Sequence, residues 1–384
     1  MNPRSLGLYA HFPYCLSKCP YCDFDSLALP GGAGDPAENH FGALAEELAL
    51  WLGRDETLRG RALESVYVGG GTPSLAPPRA VAEFLGCVNR AFDLEGAEIT
   101  LEANPSSAET DRFAGYRRAG VNRLSVGIQT FDAGMLRFLR RAHDPEEARR
   151  ALRAARAAGF DNLSADLLFG IPGQTLECLA ESLDELLSFS VEHVSVYGLT
   201  AYEGTPYAEW IEQGKAAPPD DETQAAMFLL ARERLLAAGF RHYEISNYGR
   251  PGRESRHNRL YWNGGDWLGL GPSAHSSLGG GRWENPANPA EWRASIVAGR
   301  LAAIREAPPS PRAQAGEAAM LGLRQDTGLS RSEFAQRFGD AEAERIGAIF
   351  RPLVQAGFAS ESGQGWALTA KGLLVADSIM ERFF

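Results

Sequence analysis

The chain has 384 residues, 44% of them hydrophobic, with a formal net charge of −11 at pH 7 and a pI near 5.3. That length supports one large core and a smaller second one, while the acid excess argues against a general affinity for nucleic acid. No apolar run approaches the roughly 18 residues of a membrane span and no secretory apolar block opens the chain, so a cytoplasmic protein is expected, with peripheral membrane contact left open.

Short β-branched runs alternate with stretches of helical period, the pattern of parallel βα units. Strands are expected at 6–12, 64–70, 97–104, 123–130, 161–169 and 192–199. Helices are expected at 37–53, 76–92, 110–119, 145–158 and 175–188, with a further one at 221–238. Six units imply an α/β fold, a partial (βα)6 TIM-like barrel over 1–240, with an open doubly wound sheet as the alternative. After residue 240 the pattern breaks into short strands and aromatic, glycine-rich turns, including HNRLYWNGGDWLGLGPSAHS, a barrel extension over 241–304. The proline-rich stretch REAPPSPRAQ (305–314) reads as a linker. Helices at 314–324, 330–338 and 341–356 and a hairpin at 357–369 follow, giving a winged-helix-like domain over 305–384 that reads as a packing or partner surface.

The first strand runs into Cys15, Cys19 and Cys22, three of only five cysteines. In a reducing cytosol such a group is a metal or redox site, and a disulfide would leave one thiol over. Zinc would need a distant fourth ligand, for which His11 is a candidate. A [4Fe–4S] cubane fits three thiolates, which leave its fourth iron open to a small molecule. Cys87 and Cys178 stand alone in helix-like stretches and read as buried thiols. The later strands end in GGGTPSL (69–75), in Glu102 of LEANP and in Gln129, with Arg141 shortly after and Asp166 on the fifth strand. Any one of these alone would pass for a capping or surface residue; together they mark the C-terminal edge of a sheet, where parallel α/β folds place their chemistry.

The C-x3-C-x2-C spacing resembles the signature of the radical SAM superfamily, whose members bind S-adenosylmethionine (SAM) on the open iron. YAHFPYCLSKCPYCDF, GGGTPSL, LEANP, NRLSVGIQTFD, GIPGQT, YEISNY and HNRLYW together resemble the oxygen-independent coproporphyrinogen III oxidase family and, within it, the HemW branch, described as haem chaperones. The resemblance covers nearly the whole chain. It implies a [4Fe–4S] cluster on Cys15, Cys19 and Cys22, and SAM against Tyr9, Gly70, Gly71, Thr72, Glu102, Gln129, Arg141 and Asp166, with Glu102 on the ribose hydroxyls. Tyr21 falls where the true oxidases contact a second SAM. Phe24 stands where those oxidases carry a fourth cysteine, and an aromatic ring there is expected to pack beside the cluster. His257, Asn258, Tyr261 and Trp262 match the H-N-x-x-Y-W mark of the HemW branch. The resemblance thus implies haem as a ligand and haem-accepting proteins as partners, with His257 the expected axial ligand and His11 and His275 competing for that role. Two other readings remain: an enzyme that oxidatively decarboxylates coproporphyrinogen III to protoporphyrinogen IX, and a structural zinc protein with an interaction module. A shared scaffold does not separate chaperone from enzyme.

Overall fold

The computed structural model describes residues 6–29 and 35–384. Six strands, β1 (Leu6–Phe12), β2 (Leu63–Gly70), β3 (Glu98–Ala103), β4 (Arg123–Gln129), β5 (Leu163–Phe169) and β6 (His193–Gly198), lie side by side, parallel and in chain order. A doubly wound sheet reverses its strand order at a switch point. Here the order never reverses, and right-handed crossovers in one constant direction put every helix on the same face. The sheet is therefore the wall of a partial barrel.

The expected strands and helices reappear with ends shifted by a residue or two, except that 110–119 is broken into Ser107–Thr110 and Phe113–Ala119 and the helix expected at 314–324 begins three residues earlier, at Pro311. Residues beyond the barrel extend its sheet at both edges, to twelve strands among the described residues. Asp266–Leu270 pairs parallel with β1 and leads into an antiparallel set at His275–Leu278, Gly281–Glu284 and Ile304–Arg305. At the far edge Asn247–Gly249 runs antiparallel to β6 and to Arg241–Glu244.

Strand alternation decides what each face of this wall carries. In β1 the residues Leu6, Leu8, Ala10 and Phe12 are fully buried in a core that includes Phe41, Leu44, Leu48 and Trp51 of the helix Asp35–Arg54. Each large apolar side chain so buried stabilises the fold by about 1.5–3 kcal/mol. Gly7, Tyr9 and His11 take the other face, where a Cβ on Gly7 would lie 2.8 Å from Leu260 and 3.3 Å from the His257 ring. The same alternation turns Ser65 and Tyr67, Glu98, Thr100 and Glu102, Arg123 and Ser125, and Ser164 and Asp166 inward, so the barrel interior is polar. Its floor is a set of buried polar groups: Arg123 pairs with Glu98 at 4.0 Å with its Nε making no hydrogen bond, and His193 sits 2.7 Å from the Ser164 hydroxyl and 2.8 Å from that of Tyr243.

The segment expected as a glycine-rich turn around HNRLYW is instead a helix, Arg256–Trp262. Ser255 caps it by accepting the Asn258 N–H at 3.3 Å, and the glycines come only afterwards, with Gly264 at φ 63° just past its end. Pro311 does not interrupt a helix either; it opens Pro311–Leu323 from the first turn, with Ser310 as cap. The helices Arg331–Phe338 and Asp340–Gln355 and a three-stranded sheet gather around a second apolar core containing Phe334, Ile346, Phe350 and Trp366. Polar contacts tie this unit to the sheet extensions, including Arg241 with Asp326, Arg282 with Glu317, and Gln325 donating to Asn263 at 3.0 Å. Among the described residues no helix is long and apolar enough to cross a membrane.

Candidate functional site

The cysteine loop leaves the C-terminal end of β1 and is tied to the end of β2 through the backbone. Gly71 N–H donates to Phe12 at 2.6 Å and Thr72 N–H donates to Tyr14 at 2.7 Å. Such proximity requires glycine: a Cβ at Gly71 would sit 2.6 Å from the Tyr14 carbonyl oxygen, and Gly70 has φ 112°. Cys15, Cys19 and Cys22 are free and half-buried. Cys87 and Cys178, expected to be buried, are also only half-buried, on the helices Pro78–Ala91 and Leu176–Ser188.

Two of the three cluster-loop thiols receive hydrogen bonds from one continuous network. Arg141 donates to Cys19 Sγ at 3.6 Å and to the Asn104 side-chain oxygen at 2.5 Å. Because a guanidinium can only donate, the amide oxygen of Asn104 must face it and the amide nitrogen must face Thr72, 2.9 Å away. The Thr72 hydroxyl, already accepting, is left to donate to Cys15 Sγ at 3.4 Å. Both sulfurs are thereby prepared for negative charge, although burial alone pushes the Cys15 and Cys22 thiols up. A single zinc ion would draw its sulfur ligands to within about 4.6 Å of one another, twice the Zn–S bond. Among the described residues the three cysteines are not a set that converges within 4.8 Å, and His11 donates from Nε2 to the Asp25 carbonyl at 3.0 Å while its Nδ1 lies 2.9 Å from the Tyr9 hydroxyl. The donor set therefore fits a multi-iron cluster with three thiolates better than one zinc with His11.

Glu102, at the end of β3, accepts from the Tyr67 hydroxyl at 2.6 Å and from Gly70 N–H at 3.1 Å. Burial, and after it repulsion from Asp166, raise its carboxyl to about 7 against the pull of those two donors. A Cβ at Gly69 would lie 2.9 Å from this carboxylate. Bare backbone and carboxylate thus form one cradle, which side chains at 69–71 would fill. Tyr9 stacks on Tyr67 at 6.3 Å beside it. Gln129 ends β4 with φ 68°, a left-handed backbone uncommon outside glycine and often found at functional sites. Asp166 lies against the hydroxyls of Ser195 and Ser125, and its carboxyl is raised by burial. Tyr21 lies against Arg141 and Cys19. Every residue expected to meet SAM is therefore at this edge of the barrel, with Tyr21 across the cluster loop.

Beside the cradle opens a cavity of about 710 Å³, within the ~300–1,000 Å³ range of ligand pockets. Tyr9, Gly70 and Glu102 line one side; Tyr261, Trp262 and Trp267 a second; Ala318 and Leu321 of the C-terminal unit a third. Phe24 also lines it, 60% exposed rather than packed beside the cysteines as expected. Trp262 Nε1 and Ser273 Oγ are buried without a hydrogen-bond partner, although their residues line the cavity. Asp23, Asp25, Arg282, Glu317 and Arg337 share the lining, so a molecule with both an aromatic body and polar ends fits these residues.

His257 does not reach that cavity. It is 1% exposed, stacked on Tyr67 at 5.1 Å, with Nδ1 2.8 Å from the Ser65 hydroxyl and Nε2 2.8 Å from that of Tyr261. Both nitrogens lie within hydrogen-bond distance of a hydroxyl and burial lowers its pKa to about 3, so in this structure the ring expected as the axial ligand is packed in the barrel wall and does not line the cavity. Sequence reasoning also missed Asn104 and Tyr67. Asn104 lay inside the quoted LEANP, and Tyr67 could have been found by counting inward-facing alternate positions along β2.

Residues 9–186 match the Radical SAM superfamily and residues 310–375 match the HemN C-terminal domain. The chain is 36% identical over 381 residues to heme chaperone HemW of Mycobacterium tuberculosis (strain ATCC 25618 / H37Rv), covering 99% of this chain and 95% of that protein. It is 31% identical over 378 residues to heme chaperone HemW of Bacillus subtilis (strain 168), with 98% of each covered. Among solved structures, coproporphyrinogen III oxidase (HemN) from Escherichia coli, a radical SAM enzyme, superposes with a TM-score of 0.84 at 24% identity, covering 99% of this chain and 90% of that one. At that identity the likeness speaks for the fold.

Proposed function

Since the chain belongs to the family of heme chaperone HemW, we propose that it binds a [4Fe–4S] cluster, SAM and haem and delivers the haem to acceptor proteins. Cys15, Cys19 and Cys22 hold the cluster, while Thr72 and Arg141 direct hydrogens at Cys15 and Cys19. Glu102 takes the ribose hydroxyls of SAM, the bare backbone of Gly70 and Gly71 admits its amino-acid end, and Gln129 and Asp166 complete the edge. When bound, the cluster supplies an electron and an open iron site to SAM. Haem occupies the cavity of about 710 Å³ between these strand ends and the C-terminal unit.

The observation that carries this reading over an oxidase is Phe24: a phenyl group, 60% exposed, lines the cavity where the true oxidases carry a fourth cysteine. It adds apolar surface for a porphyrin and cannot act as a thiol. The test is anaerobic purification with an iron and sulfide count, then haem titration, then incubation with SAM, a reductant and coproporphyrinogen III. Stoichiometric haem uptake without protoporphyrinogen is expected. Many turnovers to protoporphyrinogen would replace the chaperone reading with the oxidase.

A further inference from the structure

We infer that His275 is the residue that ligates the iron of a porphyrin in this cavity, an assignment that rests on the haem-carrying reading above. The chain has seven histidines. Six are 9% exposed or less. Their rings are already engaged: His257 between Ser65 and Tyr261, His193 between Ser164 and Tyr243, His11 between Tyr9 and the Asp25 carbonyl, and His40, His143 and His242 each on a carbonyl. An iron ligand needs a free ring nitrogen that solvent or a ligand can reach.

His275 meets both conditions. It opens the strand His275–Leu278, its side chain is 56% exposed, and it lines the cavity. Its Nδ1 lies 3.6 Å from Glu306 and its Nε2 4.0 Å from Glu284, too far for hydrogen bonds, so neither nitrogen is consumed. Each ring nitrogen faces a carboxylate beyond hydrogen-bond distance, so whichever nitrogen binds a metal, the other has an acceptor close enough to take its N–H after a small shift, the arrangement that orients a metal-bound imidazole. The strand register builds this in, since His275 pairs directly across from Glu284.

The ligating atoms of His275, Glu284 and Glu306 converge within 4.8 Å, so a bare divalent ion could in principle use the same group. The surroundings favour iron carried on a flat ring. Trp262 and Trp267 share the cavity wall, the Trp267 indole donates to the His275 carbonyl at 2.9 Å, and exposed Phe24 lines the same space. That aromatic surface offers contact to a flat ring, whereas Asp23, Asp25 and Glu317 in the same lining would serve a bare cation, and the zinc arm of the experiment below separates the two.

The experiment is haemin titration of the full chain, with and without its cluster, reading the ferric Soret band and the dissociation constant. His275→Ala should move the band and weaken binding by roughly tenfold or more, the scale on which metal-site partners act. Added free imidazole should return the band to the wild-type position, which a purely structural defect would not allow. His257→Gln should leave the band where it is. If His275→Ala keeps the wild-type band and affinity while wild type binds haem, the inference is overturned and the carrier reading stands. If wild type takes up no haem, both fall. If zinc ion without porphyrin binds the wild type, is lost in His275→Ala, and haem binding is indifferent to the substitution, the group is a cation site and the inference is overturned.

Discussion

Replacing Asn104 with alanine would interrupt the network between the two cysteines at its centre. The backbone N–H of Asn104 keeps its bond to Glu109 at 3.1 Å, so the substitution removes only the side-chain contacts. One is a hydrogen bond from a buried guanidinium, worth about 1.5–3 kcal/mol; the other, to the Thr72 hydroxyl, is a neutral bond worth about 0.5–1.5 kcal/mol. Arg141 retains the Gly127 carbonyl at 2.9 Å, which puts the expected cost near the lower end, about 2–3 kcal/mol. That is a fall of roughly 30- to 160-fold in the folded-to-unfolded ratio. It should appear in anaerobic urea unfolding of the cluster-free protein as a lower midpoint at unchanged slope. In the reconstituted protein the Thr72 hydroxyl is then free to turn from Cys15, and the reduction potential should fall as a donor to sulfur is lost. Asn104→Asp, which still accepts from Arg141 but cannot donate to Thr72, should recover much of the stability and not the potential. An Asn104→Ala protein within about 0.5 kcal/mol of wild type, with an unshifted potential, would refute the network.

Cys19→Ala should lose the brown chromophore and its iron and sulfide; retention of both, or zinc as the sole metal of anaerobic wild type, contradicts the cluster. Glu102→Ala should weaken SAM by roughly thirtyfold, from two lost bonds to a charged acceptor, and an unchanged dissociation constant by calorimetry would place the ribose elsewhere. Glu102 and Glu47 are both raised to about 7 from 4.5 by burial, so the unfolded chain releases their protons first and their effect is to make stability fall as pH rises from 4.5 through 7. Glu102→Gln should flatten that fall, and an unaltered slope in urea midpoints across this range would show that the carboxyl does not titrate there. Gly71→Ala should cost most of the cluster loading, because its Cβ meets the Tyr14 carbonyl at 2.6 Å; wild-type iron content would mean the strand ends are not held that closely.

The six barrel strands are legible in the sequence because each carries a set of alternate residues that is apolar but for Glu64 at the start of β2, and that set is what the helices cover. The cysteine loop, Glu102 and the GGGT turn are legible because their function is local, a spacing or a strand end. Asn104 and His257 are different. The role of Asn104 depends on Arg141, 37 positions away, and the burial of His257 depends on Ser65, 192 positions away. A local reading gives His257 a plausible chemistry without showing that both its nitrogens are already used. The helix over HNRLYW went unseen for a related reason: the glycines that follow it draw attention, while the cap at Ser255 precedes the motif.

The cavity takes its walls from two cores, the barrel and the C-terminal unit, and the bonds between them include exposed or half-exposed pairs such as Arg241 with Asp326 and Arg282 with Glu317. Neither core alone fixes the distance between Trp262 and Leu321. Opening the cavity then requires displacing one core from the other, which breaks these pairs together with the Asp326 N–H bond to the Tyr243 carbonyl at 3.1 Å and the contact of Ile245 with the second core, and leaves most of each core intact. A carrier must hold its cargo tightly and still release it within the time a recipient stays docked, and a seam closed partly by screened charges lets dwell time vary with salt while the fold does not. On this hypothesis the half-life of bound haem shortens as salt is raised while the thermal midpoint of the barrel stays put; a half-life indifferent to salt would locate the exit elsewhere.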